Sequence, residues 1–179
     1  MGASGAKLGC CFSEGSDDGR ARVEAVEHER RNFHEEYQLG GKLGEGAFGC
    51  VYSARPCSPG NNSVDVAVKV FDLCVIDARG RRRRCIDDKL RRVVDKEVAI
   101  LQLLPASQHI VQFHASFVNA GAEGLAYIVM ERCTGVLLPL LEGTSPYTEA
   151  SLQPIFRDML TGIAACQEAG IVHRDVKPD

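Results

Sequence analysis

Leu43-Gly44-Glu45-Gly46-Ala47-Phe48-Gly49-Cys50-Val51, running on into Tyr52-Ser53-Ala54-Arg55, is the stretch on which the fold turns. Its form is G-x-G-x-x-G-x-V. Glycines at this spacing also open a dinucleotide-binding βαβ unit, but there they lie between a strand and a helix. Here Leu39 and Leu43 sit in short apolar runs ahead of the glycines, and Val51 to Arg55 reads as a second strand behind them. A glycine loop between two strands is a flap, and its backbone N–H groups can approach phosphates from above. A Gly-rich hairpin without a ligand is the alternative that this motif alone leaves open.

The next run narrows the choice. After the turn Pro59-Gly60-Asn61-Asn62, residues Val64 to Phe71 read as a third strand containing Val66-Ala67-Val68-Lys69. Period-two alternation places Val64, Val66, Val68 and Val70 on one face and Ala67 and Lys69 on the other. A small alanine beside a lysine under the flap leaves room for a flat base and delivers one cation to phosphate. Leu90, Val93, Val94, Ile100, Leu101 and Leu104 then recur at helical spacing from Asp88 to Leu104, with Pro105 ending the helix. Glu97 falls on or beside that apolar stripe. A carboxylate buried there without a partner would cost several kcal/mol, and Lys69 on the adjoining strand is its expected partner. An ordinary strand with a solvent-facing lysine, or a Glu97 that reaches water, is the plainer reading.

Further apolar runs at Ile110 to Phe117 and Leu125 to Met130 complete five strands and one helix in the first 130 residues, an α+β lobe on an antiparallel sheet. The Arg-dense insert at 77–88 is read as a solvated loop, although eight basic residues against two acidic ones between 79 and 92 would also suit an acidic partner or bias the helix. Past Met130 the sequence turns helical. Leu152, Ile155, Phe156, Met159, Leu160 and Ile163 form one stripe, Thr148 or Ser151 caps the start, and Gly170 stops the helix. Pro154 fits the first turn after Ser151 and would remove one hydrogen bond from a helix begun at Thr148.

The bulk properties agree with a globular chain. Of 179 residues 45% are apolar and 25% charged, with a formal net charge of -3, so no global basic field draws the molecule to nucleic acid. None of the eight cysteines shows C-x-x-C spacing, and they read as reduced, cytosolic thiols. The last seven residues, His173-Arg174-Asp175-Val176-Lys177-Pro178-Asp179, follow the helix and a Gly-Ile-Val turn. In this loop Asp175 would accept a proton from a substrate hydroxyl, and Lys177 would offset charge developing on a transferred phosphate. An Arg-Asp surface turn is the plainer alternative.

With these motifs in this order, the chain resembles a eukaryotic protein kinase from Tyr37 to Asp179. Lys177, two residues after Asp175, resembles the serine/threonine kinases. The resemblance implies a small lobe at 37–131, made of the five-stranded sheet and one helix. It also implies a hinge and the start of an incomplete helical large lobe at 132–179, and ATP with Mg2+ as cofactors. In that likeness Lys69 would meet the α- and β-phosphates. Met130 would lie behind the adenine, and the backbone of Glu131 and Cys133 would form its hydrogen-bonding edge. Tyr147-Thr148-Glu149 and Gly170-Ile171-Val172 are closest to the calcium/calmodulin- and calcium-dependent kinases.

The likeness has gaps. The family's Mg-binding Asn, D-F-G segment and activation loop do not occur in the sequence, so the stretch is expected to bind nucleotide weakly and to be catalytically incomplete, with Ser/Thr phosphorylation belonging to the full-length protein. A non-catalytic kinase-like scaffold is the alternative. Gly135-Val136-Leu137 lacks the carboxylate that many relatives place near the ribose. Residues 1–32 are expected to form a flexible arm. Gly2 with Cys10 or Cys11 resembles the acylation sites of some calcium-dependent kinases, which would add peripheral membrane attachment to a cytoplasmic location. Ala6 stands where that motif wants Ser or Thr, and an unmodified start is the preferred reading.

Overall fold

Alternation of apolar side chains with a period of two gives this chain its central element, a five-stranded antiparallel sheet. Its strands are β2 (Tyr37–Gly46), β3 (Gly49–Pro56), β4 (Val66–Asp72), β7 (Phe113–Asn119) and β8 (Leu125–Glu131), in the spatial order β2-β3-β4-β8-β7. The computed structural model describes residues 13–14, 28, 32–46, 49–58, 64–119, 124–135, 137 and 148–176. Gly2, Cys10, Cys11, Ala47, Phe48, Val136, Tyr147 and Lys177 lie outside the described residues. The chain divides into two compact units, one of residues 22–99 and 113–132, the other of 1–21, 100–112 and 133–179. The first unit has the α+β architecture expected of a kinase-like small lobe.

In the first unit the two sheet faces are covered differently. Ala54, Val66, Val68, Phe117, Tyr127 and Val129 share one face, and Phe33, from the short helix α1 (Phe33–Glu36), closes over them. The Phe33 ring stacks on Tyr127 with centroids 4.1 Å apart and meets Phe117 edge-on. Burying such a ring contributes about 1.5–3 kcal/mol, which explains why a four-residue helix holds its place. The other face carries Val51, Ala67, Lys69, Ser116, Ile128 and Met130, as the cross-strand register requires. Helix α2 (Asp88–Leu103) buries Val94 and Val98.

The arginine-dense insert is not a loop. It folds as a hairpin of β5 (Cys74–Ile76) and β6 (Arg82–Ile86), closed by a turn at Gly80, whose φ is +71°. Two carboxylates organise it. Asp77 Oδ1 accepts the backbone N–H of Arg79 and of Arg81, each at 2.9 Å, while its Oδ2 meets Arg83 at 2.9 Å. Asp72 Oδ2 accepts from Arg82 Nε at 2.7 Å. The dense charge hid the strand because arginine stems lie along the backbone while their heads reach acids elsewhere. The expected arm also differs at its described points: Ser13–Glu14 forms strand β1, paired with β9 (Ile171–Val172), and His28 is bonded at both ring nitrogens.

In the second unit helix α3 (Glu149–Glu168) begins at Thr148. Thr148 Oγ1 accepts from Ser151 N at 3.1 Å and Thr148 N donates to Ser151 Oγ at 3.0 Å, a reciprocal cap. Pro154 therefore lies inside the helix and leaves the carbonyl four residues back without its usual donor. Ile100, Ile110, Cys166 and Ile171 form this unit's core. Phe156 and Leu160 of the predicted stripe are exposed. Among the described residues no helix is long and apolar enough to cross a membrane.

Candidate active site

Lys69 sits in the middle of β4, and its side chain leaves the sheet on the face that meets α2. Its Nζ donates to both carboxylate oxygens of Glu97, at 2.7 and 2.8 Å, and the two side chains are only 16% and 17% exposed. The pair expected from the sequence is therefore present. Glu97 comes to it because it lies three residues after Val94 and one before Val98, the buried positions that fix the helix's inner stripe. Two residues along the same face, Phe71 braces the lysine, with Nζ 4.9 Å from the ring centroid. An ammonium has three N–H donors. Two are held by Glu97, which leaves a third for an anionic oxygen and fixes its direction.

The register builds the surroundings. Val51 lies directly opposite Lys69 on β3, and Met130 lies opposite Ala67 on β8. Val51, Ala67, Lys69 and Met130 thus occupy one face of three adjacent strands, with Ala67 and Met130 both buried. Glu131 closes β8 beside Val66. The flap is the end of the β2–β3 hairpin, where Gly44 pairs with Val51, Glu45 with Cys50 and Gly46 with Gly49. Gly49 is needed for a close approach, since a Cβ there would collide with the carbonyl oxygen of Val70. Leu43 is about half exposed. Glu45 is bonded to Lys42 at 2.6 Å, which holds its carboxyl below the ordinary value and raises the lysine.

Of the predicted site residues, Cys133 and Asp175 belong to the other unit, and Ala47, Phe48 and Lys177 fall outside the described residues. Cys133 is exposed and lies in the second unit. Asp175 is also in the second unit, in the loop after β9, with its backbone N–H donated to His173 Nδ1 at 3.3 Å. His173 is buried, and between them Arg174 has φ +59°, a conformation costing a non-glycine residue about 1–2 kcal/mol. That strain turns the chain sharply at the residue before Asp175. Lys177 is not described. Sequence reasoning missed His28 and Phe33, neither of which belongs to a motif or a periodic run.

A glycine flap between antiparallel strands, above a lysine tied to a helical glutamate, is the phosphate-handling arrangement of one family. Residues 37–179 match the protein kinase domain, and the chain belongs to the protein kinase family. Among curated proteins it is similar to CDPK-related kinase 7 of Arabidopsis thaliana, 32% identical over 151 residues that make up 83% of this chain and 24% of that protein. It is also similar to calcium/calmodulin-dependent serine/threonine-protein kinase 1 of Oryza sativa subsp. japonica, 34% identical over 152 residues, 83% of this chain and 23% of that protein. Calcium-dependent protein kinase 12 of the same rice is 31% identical over 144 residues. The chain spans about a quarter of the length of these relatives.

Proposed function

We propose that this chain carries the nucleotide-binding part of a protein kinase that transfers phosphate from ATP to serine or threonine of protein substrates. The observation that carries the reading is the Lys69 to Glu97 pair, held at 2.7 Å beneath the glycine hairpin. In this reading the flap from Gly44 to Gly49 covers the phosphates, Lys69 directs its remaining N–H at them, and Ala67 and Met130 border the base. The backbone of Glu131 and Cys133 hydrogen-bonds its edge. Asp175 accepts the proton of the attacking hydroxyl and Lys177 offsets charge on the phosphate. The similarity to named serine/threonine kinases supports that substrate class.

Among the described residues there is no group of three or more His, Cys, Asp or Glu side chains that could hold a metal ion. No ligand on the described residues is assigned to Mg2+. The reading is tested with the purified chain by titrating Mg-ATP against the wild type and Lys69→Met. Saturable binding weakened about tenfold or more by the substitution is expected, since it removes a charge-assisted hydrogen bond. Equal binding by both proteins refutes the assignment. Phosphate transfer to a serine/threonine peptide by the full-length protein, abolished by Asp175→Asn, tests the catalytic half.

A further inference from the structure

The residues that fix helix α2 include one that no motif marks. Ser116 on β7 is opposite Ile128 on β8, Ile128 is opposite Lys69 on β4, and Lys69 is opposite Val51 on β3. Ser116 and Lys69 therefore lie on the same cross-strand row of the sheet, two strands apart, and both point at the face that meets α2. Lys69 reaches Glu97 directly. Ser116 reaches α2 through His28, whose Nδ1 is 3.0 Å from Ser116 Oγ and whose Nε2 is 2.8 Å from Asp95 Oδ1. A carboxylate only accepts, so Nε2 carries a proton and donates to Asp95, while Nδ1 and the serine hydroxyl, which can either donate or accept, share the second bond. Arg91 Nε donates to the same Asp95 oxygen at 2.8 Å, fixing the carboxylate from within the helix.

Asp95 and Glu97 are two residues, or about 200° of helical turn, apart. They flank the buried line of Val94 and Val98 on opposite sides. A single tie at Glu97 would let the helix roll about its axis. Ties on both flanks, anchored to one row of the sheet, resist that rotation. The His28 side chain is only 10% exposed, and it joins a buried serine of the sheet to a carboxylate of the helix.

We propose that His28 is a positioning residue: it clamps α2 from the flank opposite Glu97 and so holds Glu97 on Lys69 for nucleotide binding. The inference rests on the nucleotide-site reading above, and it assigns to residues ahead of the matched domain a part in setting that site.

The test uses the whole chain with His28→Ala, His28→Gln and Asp95→Ala. The last replaces a side chain of α2 that is a third exposed, outside the sheet. Amide hydrogen exchange of residues 90–98 without nucleotide is read first, and Mg-ATP affinity second. His28→Ala and Asp95→Ala are expected to speed exchange and to weaken Mg-ATP binding, each by about tenfold, the loss of a hydrogen bond to a charged group. His28→Gln, which keeps a donor toward Asp95, is expected to recover most of both. Unchanged exchange in both alanine variants overturns the clamp. Faster exchange with unchanged affinity, in a chain whose binding Lys69→Met does weaken, overturns the positioning role. Failure of the nucleotide-site reading looks different: Lys69→Met then binds as the wild type does, and the positioning role falls with it, whatever the exchange rates show.

Discussion

Separating Lys69 from Glu97 by substitution gives the sharpest test of the site's physics. Either single change, Lys69→Met or Glu97→Leu, leaves one charge about five-sixths enclosed, without the two short bonds that now satisfy it. Breaking a fully buried pair in this way costs about 3–5 kcal/mol. The remaining access to water lowers the expectation to about 2–3 kcal/mol for each single variant. The double variant leaves no unpaired charge and puts two apolar chains of similar volume in contact, so it is expected within about 1 kcal/mol of wild type. The interaction term of the cycle is then at least about 3 kcal/mol in magnitude. The chain has no tryptophan, so urea unfolding is followed by circular dichroism and by tyrosine emission, Tyr127 being buried in the sheet. With a slope of about 2 kcal/mol per molar urea, each single variant moves the midpoint down by about 1 M and the double variant by less than half of that. Additive losses, or single variants within about 0.5 kcal/mol of wild type, would mean that the pair is a solvated contact and not a buried constraint.

Three further outcomes are expected. Gly49→Ala pushes a Cβ into the Val70 carbonyl and should cost about 1–3 kcal/mol, whereas Gly44→Ala, with nothing within 4 Å of its new atom, should lower the melting temperature far less; equal shifts would contradict the close approach. Thr148→Ala removes the side-chain half of the reciprocal cap of α3 and should cost about 1 kcal/mol, and adding Ser151→Ala, which removes the other half, should cost less than that; thermal melts of the single and double variants beside the wild type decide it. The Asp77 carboxyl is held below its ordinary value of 3.8 by the N–H of Arg81, aided by Arg79 and Arg83; Asp72, despite its partial burial, is held low by Arg82. Because their folded values are depressed, the stability these groups give the hairpin is present above about pH 4 and is lost as pH falls through the depressed values. Carboxyl titration by NMR should give midpoints below 3.8 for both, and midpoints at or above it would remove the proposed bonds.

Much of the site was legible in the chain because its parts are local. Lys69 had to leave β4 on the face opposite Val66 and Val68, since alternation in a strand allows nothing else, and Glu97 had to find a cation because it interrupts the apolar stripe of α2. Pro154 shows where local reasoning was poised between two answers: its sequence suited a helix begun at Ser151, and the reciprocal Thr148 and Ser151 cap outweighed the bond that the proline loses. The hairpin at Cys74–Ile76 and Arg82–Ile86 was not legible, because its strand signal is written in arginines whose partners, Asp72 and Asp77, have to be found in space.

By itself, then, the order of residues determined the five strands, the helix beneath the flap, the direction of Lys69 and its need for Glu97, all of which follow from the periodicity of one segment or the cost of one buried charge. Only the tertiary structure decided that Phe33 closes the far face of the sheet and that His28 joins Ser116 to Asp95. Those contacts link residues 67 to 94 positions apart, where no repeat or spacing carries information and only the packing of the finished sheet brings the groups within bonding distance.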